Sequence, residues 1–383
     1  MTPRALHHAL AVTPPGVEEL TAGELRALGV RVRRAFRGGV EFSASDRELY
    51  AANLWCRTAT RVLVRVARFV AADFAGLERE LAAVPWGRFV APGTTPVVRA
   101  SSTASRLYHT DAVAERVAAA AGSGPAEGPL VVVRLVHDRV MVSVDSSGAP
   151  LHQRGWHLDR GAAPLRETLA AAALLASGWR PGAPLVDPFC GSGTIPIEGA
   201  LMAAGRPPGA GRRFAFEDWP AFAPGTWGAV KAMAPPVPPC DPAPVAGSDR
   251  DPAAVAAAEA NARRAGIDGA VRFSVAPVDD AAPVGDSPGW LVTNPPYGRR
   301  IVSDDLRAVY ARLGAVARAR FGGWTVAVLV PDPRAARAAG LPFTERLRTV
   351  NGGIPVHLLV APVRSSNGPL RHRRRAGDRS AAD

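Results

Sequence analysis

The apolar positions change their period once along the chain, and that change divides it. Val30–Phe36 alternates apolar and polar residues as a half-buried strand does, with Leu6–Val12 and Val40–Phe42 reading as its neighbours. Pro14-Pro15-Gly16 turns into a helix over Val17–Leu28, and Gly38-Gly39 turns the chain back. Ser45 with Glu48 three residues on is a capping box opening a helix to Trp55; Arg61–Val66 supplies the last strand of a β-α-β-β-α-β order. In a second unit Asp73 caps a helix over Phe74–Val84, Val97–Ser101 is a strand and Asp111–Ala120 is helical. Leu130–Val136 and Val140–Val144 then form a hairpin around His137-Asp138-Arg139. This second unit holds few cleft-forming polar residues, which points to binding or to a purely structural role.

From Leu165 strands and helices alternate. Helix Leu165–Ser177, strand Leu185–Asp187 and helix Thr194–Ala204 lead into an irregular insertion, Arg206–Pro244. Strand Val245–Ser248, helix Pro252–Ala265 and strands Val271–Val275 and Trp290–Thr293 come next, then helix Asp305–Arg320 and strand Trp324–Val330. Strands Phe343–Thr349 and Val356–Val363, joined through Asn351-Gly352, close the unit. This order predicts an α/β, doubly wound, mostly parallel sheet with an antiparallel hairpin at its end. The tail from Arg364, with Arg371-His372-Arg373-Arg374-Arg375, lacks apolar residues and is expected to be disordered.

Composition narrows the class of partner. At 383 residues the chain is long enough for two or more domains. No apolar run of eighteen residues and no signal pattern stand in it, so a soluble cytoplasmic protein without membrane attachment is expected. Cys56, Cys190 and Cys240 are too scattered for a disulfide framework, and the eight histidines miss metal-ligand spacings, so no metal is expected. The formal charge is +12, with Lys231 the one lysine, which favours a polyanionic partner through counterion release.

Two loops carry the chemistry. In Asp187-Pro188-Phe189-Cys190-Gly191-Ser192-Gly193-Thr194, the acid ends a strand and the glycines open the next helix, where amides present donors to a carboxylate. Pro196 stands where a dinucleotide fingerprint needs its third glycine, which counts against NAD. Asp249 at the next strand end suits two ribose hydroxyls, whereas Asp251 before Pro252 suits a helix cap. Cys190, in this loop, and Cys240, in the insertion, are poorly placed for nucleophiles. Asn294-Pro295-Pro296-Tyr297 follows a strand of the same sheet. The Asn294 side-chain oxygen and the Pro295 carbonyl can accept the two hydrogens of an aromatic amine and aim its lone pair at a methyl sulfonium, while Tyr297 stacks on the extracted base. Adenine-N6 and protein-glutamine methylation use the same Asn-Pro-Pro-Tyr chemistry. An RNA-binding chaperone with a dead domain is a further reading, opposed by intact Asp187, Asp249 and Asn294.

Together with Leu151-His152-Gln153-Arg154-Gly155-Trp156, Ala163–Ala171 and Ser177-Gly178-Trp179, these loops resemble the THUMP-containing RNA guanine-N2 methyltransferases. The likeness covers roughly residues 5–363 and is strongest to the amino-terminal half of the bifunctional bacterial large-subunit rRNA guanine methyltransferases. It implies a ferredoxin-like unit (1–58), a THUMP RNA-binding domain (59–148), a linker (149–164) and a Rossmann-like class I methyltransferase domain (165–363) before the basic tail (364–383). S-adenosylmethionine is the implied cofactor, held by Glu167, Thr168, Asp187, Phe189, Gly191, Gly193, Thr194, Asp249 and Asn294, with Asn294, Pro295 and Tyr297 catalytic. The implied partner is RNA, rRNA before tRNA, bound by a monomer. On this reading residues 1–148 supply most of the RNA affinity and residues 165–363 bind cofactor alone.

Two departures stand out. Pro277 occupies the place of the family's adenine-binding acid, with Asp279 and Asp280 beyond it, and a second methyltransferase half does not follow. In the insertion, Arg212, Arg213, Phe214, Phe216, Trp219 and Trp227 suit stacking on unpaired bases, or packing of the insertion onto its own domain.

Overall fold

The computed structural model describes residues 6–159, 165–236, 243–297 and 303–365. Cys240, Ala163-Pro164, Gly298 and the arginine cluster at 371–375 lie outside the described residues.

Eleven elements precede residue 150. They are β1 (His7–Val12), α1 (Glu18–Ala27), β2 (Arg31–Phe36), β3 (Gly39–Ala44), α2 (Asp46–Trp55), β4 (Arg61–Val70), α3 (Phe74–Ala82), β5 (Thr94–Thr103), α4 (Thr110–Ala121), β6 (Ala126–Val136) and β7 (Arg139–Asp145). The Ser45–Glu48 capping box forms with both of its bonds, and Asp73 caps α3. The strands make one seven-stranded sheet in the order β2-β3-β1-β4-β7-β6-β5. The two small units therefore share a sheet: β4 pairs with β1 on one side and β7 on the other. It runs to Val70, four residues beyond its expected end, because β7 offers a second partner along that length. One face is apolar and covered: Ala9, Phe42, Val64, Val133 and Val142 pack under Leu25, Leu49, Leu77 and Val117 of the four helices.

The second sheet is built from α5 (Glu167–Ala176), β8 (Leu185–Asp187), α6 (Thr194–Ala203), α7 (Pro224–Lys231), β9 (Val245–Asp249), α8 (Pro252–Ala265), β10 (Val271–Val275), β11 (Trp290–Thr293), α9 (Ser303–Arg320), β12 (Thr325–Val330), α10 (Pro333–Ala336), β13 (Thr344–Asn351) and β14 (Ile354–Pro362). Its order is β10-β9-β8-β11-β12-β14-β13, parallel except for the closing β13–β14 hairpin. The expected fold class, a Rossmann-like class I methyltransferase sheet behind a ferredoxin-like unit, is the one observed. The order reverses at β8, so the loops after β8 and β11 lie side by side at the carboxyl edge, where doubly wound sheets bind ligands. Helix α5 starts at Glu167, two residues later than expected, which leaves the Glu167 side chain in its first turn.

The insertion corrects the expectation for its aromatics. Phe214, Phe216, Trp219 and Trp227 are buried in the core of the N-terminal unit. Tyr50 of α2 stacks on Phe216 at 4.2 Å, and Trp219 meets Phe89 edge-on at 5.0 Å. Arg212 spends its guanidinium on the carbonyls of Pro150, at 2.8 Å, and Ser147, at 2.8 Å. These rings cannot stack on bases, nor do they pack on their own domain; apolar area decides, and the larger apolar partner lies across the boundary.

A buried charge cluster completes that boundary. Glu198 of α6 takes Arg57 at 3.3 Å and Arg154 at 3.2 Å, and Arg154 also donates to the Arg57 carbonyl at 2.6 Å. Removing one member of such a cluster leaves a buried charge uncompensated, at a cost of about 3–5 kcal/mol. The packing therefore ties residues 165–363 to the N-terminal unit.

Candidate active site

Two glycines shape the loop after β8, for different reasons. Gly193 has φ +84°, and a Cβ there would come within 2.9 Å of the Ala258 Cβ and 3.1 Å of Phe273. Close packing of α6 against α8 and β10 excludes any side chain. Gly191 has φ +52° and nothing within 4 Å of an added Cβ, so only its backbone conformation calls for glycine, and its open side leaves room for a ligand.

Asp187 is buried at the end of β8. Its Oδ1 accepts the Thr293 hydroxyl at 2.6 Å and the Phe189 amide at 3.1 Å, tying the loop after β8 to the one after β11. Burial is the leading cause that pushes its carboxyl up to about 7. Asp249 ends β9 half-buried; its Oδ2 accepts the Gly191 amide at 3.0 Å and its Oδ1 the Asp251 amide at 3.0 Å. A carboxylate offers about four lone-pair sites, so two remain for the hydroxyls of a sugar. Asp251 caps α8 through the Ala253 amide, at 2.9 Å.

Two residues without a sequence signal, His157 and Asn351, belong to the site. His157 is buried, with Nδ1 2.9 Å from Glu167 Oε1 and Nε2 2.9 Å from Ser192 Oγ. It thereby joins the first turn of α5 to the loop after β8. Asn351 at the end of β13 donates its amide to the Tyr297 hydroxyl at 2.8 Å and fixes the ring's outer end. Burial raises the Tyr297 phenol, so it stays neutral.

A cavity of about 1300 Å³ lies over these loops. Glu167, Asp187, Phe189, Gly191, Thr194, Asp249, Asn294, Pro295 and Tyr297 all line it; Thr168 is buried outside its wall, and Gly193 is withdrawn behind it. Pro277, Val278 and Asp279 form the wall beyond β10, with Asp279 3.8 Å from Arg312, while Asp280 is not part of it. Asn294 Oδ1 is buried yet has no hydrogen-bond partner among the described residues. An orphaned buried acceptor costs about 1–3 kcal/mol, a cost that a donor brought to it in the cavity would offset. The Cys190 thiol is buried and pushed well up by that burial, which rules out a nucleophile. No group of three or more His, Cys, Asp or Glu able to hold a metal occurs among the described residues.

A sheet of this order, with a glycine loop at its first strand and an acid at the end of its second, defines a class I S-adenosylmethionine-dependent methyltransferase. The chain belongs to the RMKL-like methyltransferase-domain family, whose model matches residues 154–359; residues 8–63 match the RlmL ferredoxin-like domain. It is 38% identical over 378 residues to the ribosomal RNA large subunit methyltransferase K/L of Syntrophotalea carbinolica, covering 91% of this chain and 52% of that protein. The K/L enzyme of Vibrio campbellii is 34% identical over 376 residues, covering 92% and 53%. The chain spans about half the length of these relatives. Among solved structures, SMU.472, a protein in complex with SAH, superposes with TM-score 0.85 at 27% identity, covering 95% of this chain and 99% of that one. A Listeria monocytogenes protein described as a predicted N6-adenine-specific DNA methylase superposes at 0.82 with 29% identity, covering 92% and 96%.

The residues fit S-adenosylmethionine. Gly191 leaves open space beside its loop, and Asp249 keeps two lone-pair sites free at the wall of a cavity that Glu167 and Asn294 also line.

Proposed function

We propose that the chain methylates the exocyclic N2 amine of a guanine in structured RNA, with large-subunit rRNA preferred over tRNA. The orphaned Asn294 Oδ1 beside the cofactor loop carries this reading. A guanine amine is a weak nucleophile because its lone pair is delocalised into the ring. Asn294 Oδ1 and the Pro295 carbonyl accept its two hydrogens, and the lone pair then turns out of conjugation. Tyr297, held by Asn351, presents a ring face for the base to stack on. The bound cofactor supplies an electrophilic methyl carbon. The protein contributes positioning and preorganised acceptors, with no strong base.

The choice of RNA rests on the net charge, the K/L relatives and the N-terminal unit. In this reading residues 1–58 are a ferredoxin-like unit, 59–148 a THUMP domain that grips RNA, 149–164 a linker and 165–363 the catalytic domain of a cytoplasmic monomer. Glu167, and Thr168 beneath it, shape the amino-acid end of the cofactor site, and Asp249 the ribose end.

The test is nucleoside mass spectrometry after incubation with S-adenosylmethionine and either protein-free large-subunit rRNA or tRNA. N2-methylguanosine in rRNA is the expected product. Methylation of tRNA alone would keep the chemistry and reject rRNA; N6-methyladenosine would reject the guanine.

A further inference from the structure

The face of the N-terminal sheet turned away from its helices carries an excess of positive charge. Cross-strand register places its members. His8 of β1 lies opposite Ser43 and Arg65, Arg65 opposite Ser143, Ser143 opposite Val132, and Val132 opposite Arg99. A second row runs from Arg68 through Met141 and Arg134 to Ser101. Side chains alternate faces along a strand, so Arg65 and Arg68, three apart, belong on opposite faces of a regular β4. The bulge between Arg65 and Ala67 inserts one residue and returns both arginines to the same face. Burial is the leading cause that depresses the Arg65 guanidinium; Glu41 acts against it, and Arg68 and Arg134 each depress it further. At the far edge Arg31 lies opposite Ser43, and Arg33, displaced by a second bulge, donates to the Ser43 hydroxyl at 2.5 Å.

None of these six arginines forms an ion pair within 4 Å among the described residues; of the acids that the register places on this face, Asp145 is engaged by Arg61, and Glu41 and Glu127 leave the arginines in excess. Arg31, Arg33, Arg68, Arg99 and Arg134 are exposed among the small side chains of Ser43, Ser101 and Ser143, and Arg65 is half-buried between them. Apart from His8, the ring in these rows is Phe36 at the corner, lying under the Arg34 guanidinium at 5.3 Å. Seven strands at about 4.8 Å spacing give a platform roughly 29 Å across.

We infer that this face docks the sugar–phosphate backbone of a double-helical RNA stem. The inference rests on the reading of the substrate as RNA. An excess of positive charge matches a polyanion, and a face poor in aromatic rings does not suit single strands, which bind by stacking their bases. A stem offers its phosphates over a surface of this breadth and is gripped by shape and backbone, without sequence readout. The base to be methylated is then selected at the cavity, and the stem fixes where the enzyme stands.

The test uses the full chain carrying R68Q, R99Q and R134Q together, three exposed side chains outside the cofactor cavity. Binding of fluorescent RNA hairpins of unrelated sequence is titrated across salt concentrations. The variant should bind each hairpin at least about tenfold more weakly at low salt. The slope of log K against log salt should be smaller by roughly 2–3, near one for each phosphate left without its arginine. Cofactor Kd and kcat at saturating RNA should not move. An unchanged slope and affinity in a variant with native cofactor binding would overturn the inference. So would loss of binding to anionic phosphatidylglycerol vesicles with RNA affinity intact, which would assign the face to a membrane. If wild-type protein binds hairpins with the expected slope but forms no N2-methylguanosine in any RNA, the docking face stands and the guanine reading falls.

Discussion

At the scale of single residues, three aspartates with the same side chain do different work because of where they sit. Asp249 reaches into the cavity from the end of β9; Asp251 stands at the same wall but is exposed, and its carboxylate caps a helix. Asp249→Ala should weaken S-adenosylmethionine binding at least about tenfold, from the loss of one or two charge-assisted bonds. Asp251→Ala should leave that affinity alone and cost about 1 kcal/mol of stability. Calorimetric titration and thermal melts separate the two, and the reverse order would move the ribose contact to Asp251.

Asp187 carries the third role, and pH reads it. Its carboxyl titrates near 4 in an unfolded chain and at about 7 in the fold. A raised folded pKa means that the folded state holds the proton more tightly. The associated stability is therefore fully present below about pH 4 and lost as pH rises through 7. Asp187→Asn keeps an acceptor for Thr293 and Phe189 without the titration. Measured against wild type, the variant should gain relative stability between pH 4 and 8, by up to about 4 kcal/mol for a shift of this size. A difference that stays flat over that window would contradict the assignment.

Elements were legible where local pattern decides them. The Ser45 cap, the β8–loop–α6 turn, the strand before Asn294-Pro295-Pro296-Tyr297 and the closing hairpin all come from spacing within about ten residues. His157 was not legible as a site residue: it follows directly on Leu151–Trp156, but its partner Ser192 lies 35 positions away. The single N-terminal sheet was hidden for a similar reason, since β4 reads as the end of one unit until β7 is seen beside it. The insertion misled because arginines between aromatics look alike whether they face bases or a neighbouring core. Trp227 packs edge-on against Phe214 and Phe216, at 5.7 and 5.2 Å. Trp227→Ala should cost about 3–5 kcal/mol in denaturant unfolding. A near-neutral result would free these aromatics for RNA after all.

For the whole molecule, the two halves are coupled through apolar packing and through Arg57, Glu198 and Arg154. Helix α6, which carries Glu198, begins at the cofactor loop, so the unit proposed to hold RNA braces the helix that shapes the cofactor site. Removing residues 1–148 would expose the Phe214, Phe216 and Trp227 cluster and strip Arg57 from Glu198. The remaining chain should lose near-ultraviolet circular dichroism and cofactor binding together; a soluble fragment with native cofactor affinity would show the halves to be independent. The central claim, that the unsatisfied Asn294 oxygen waits for the hydrogens of a guanine amine, is tested most directly by single-turnover methyl transfer with Asn294→Ala. At saturating cofactor and RNA, formation of N2-methylguanosine should slow by at least ~10²-fold while S-adenosylmethionine affinity stays near wild type; transfer near the wild-type rate would contradict the account.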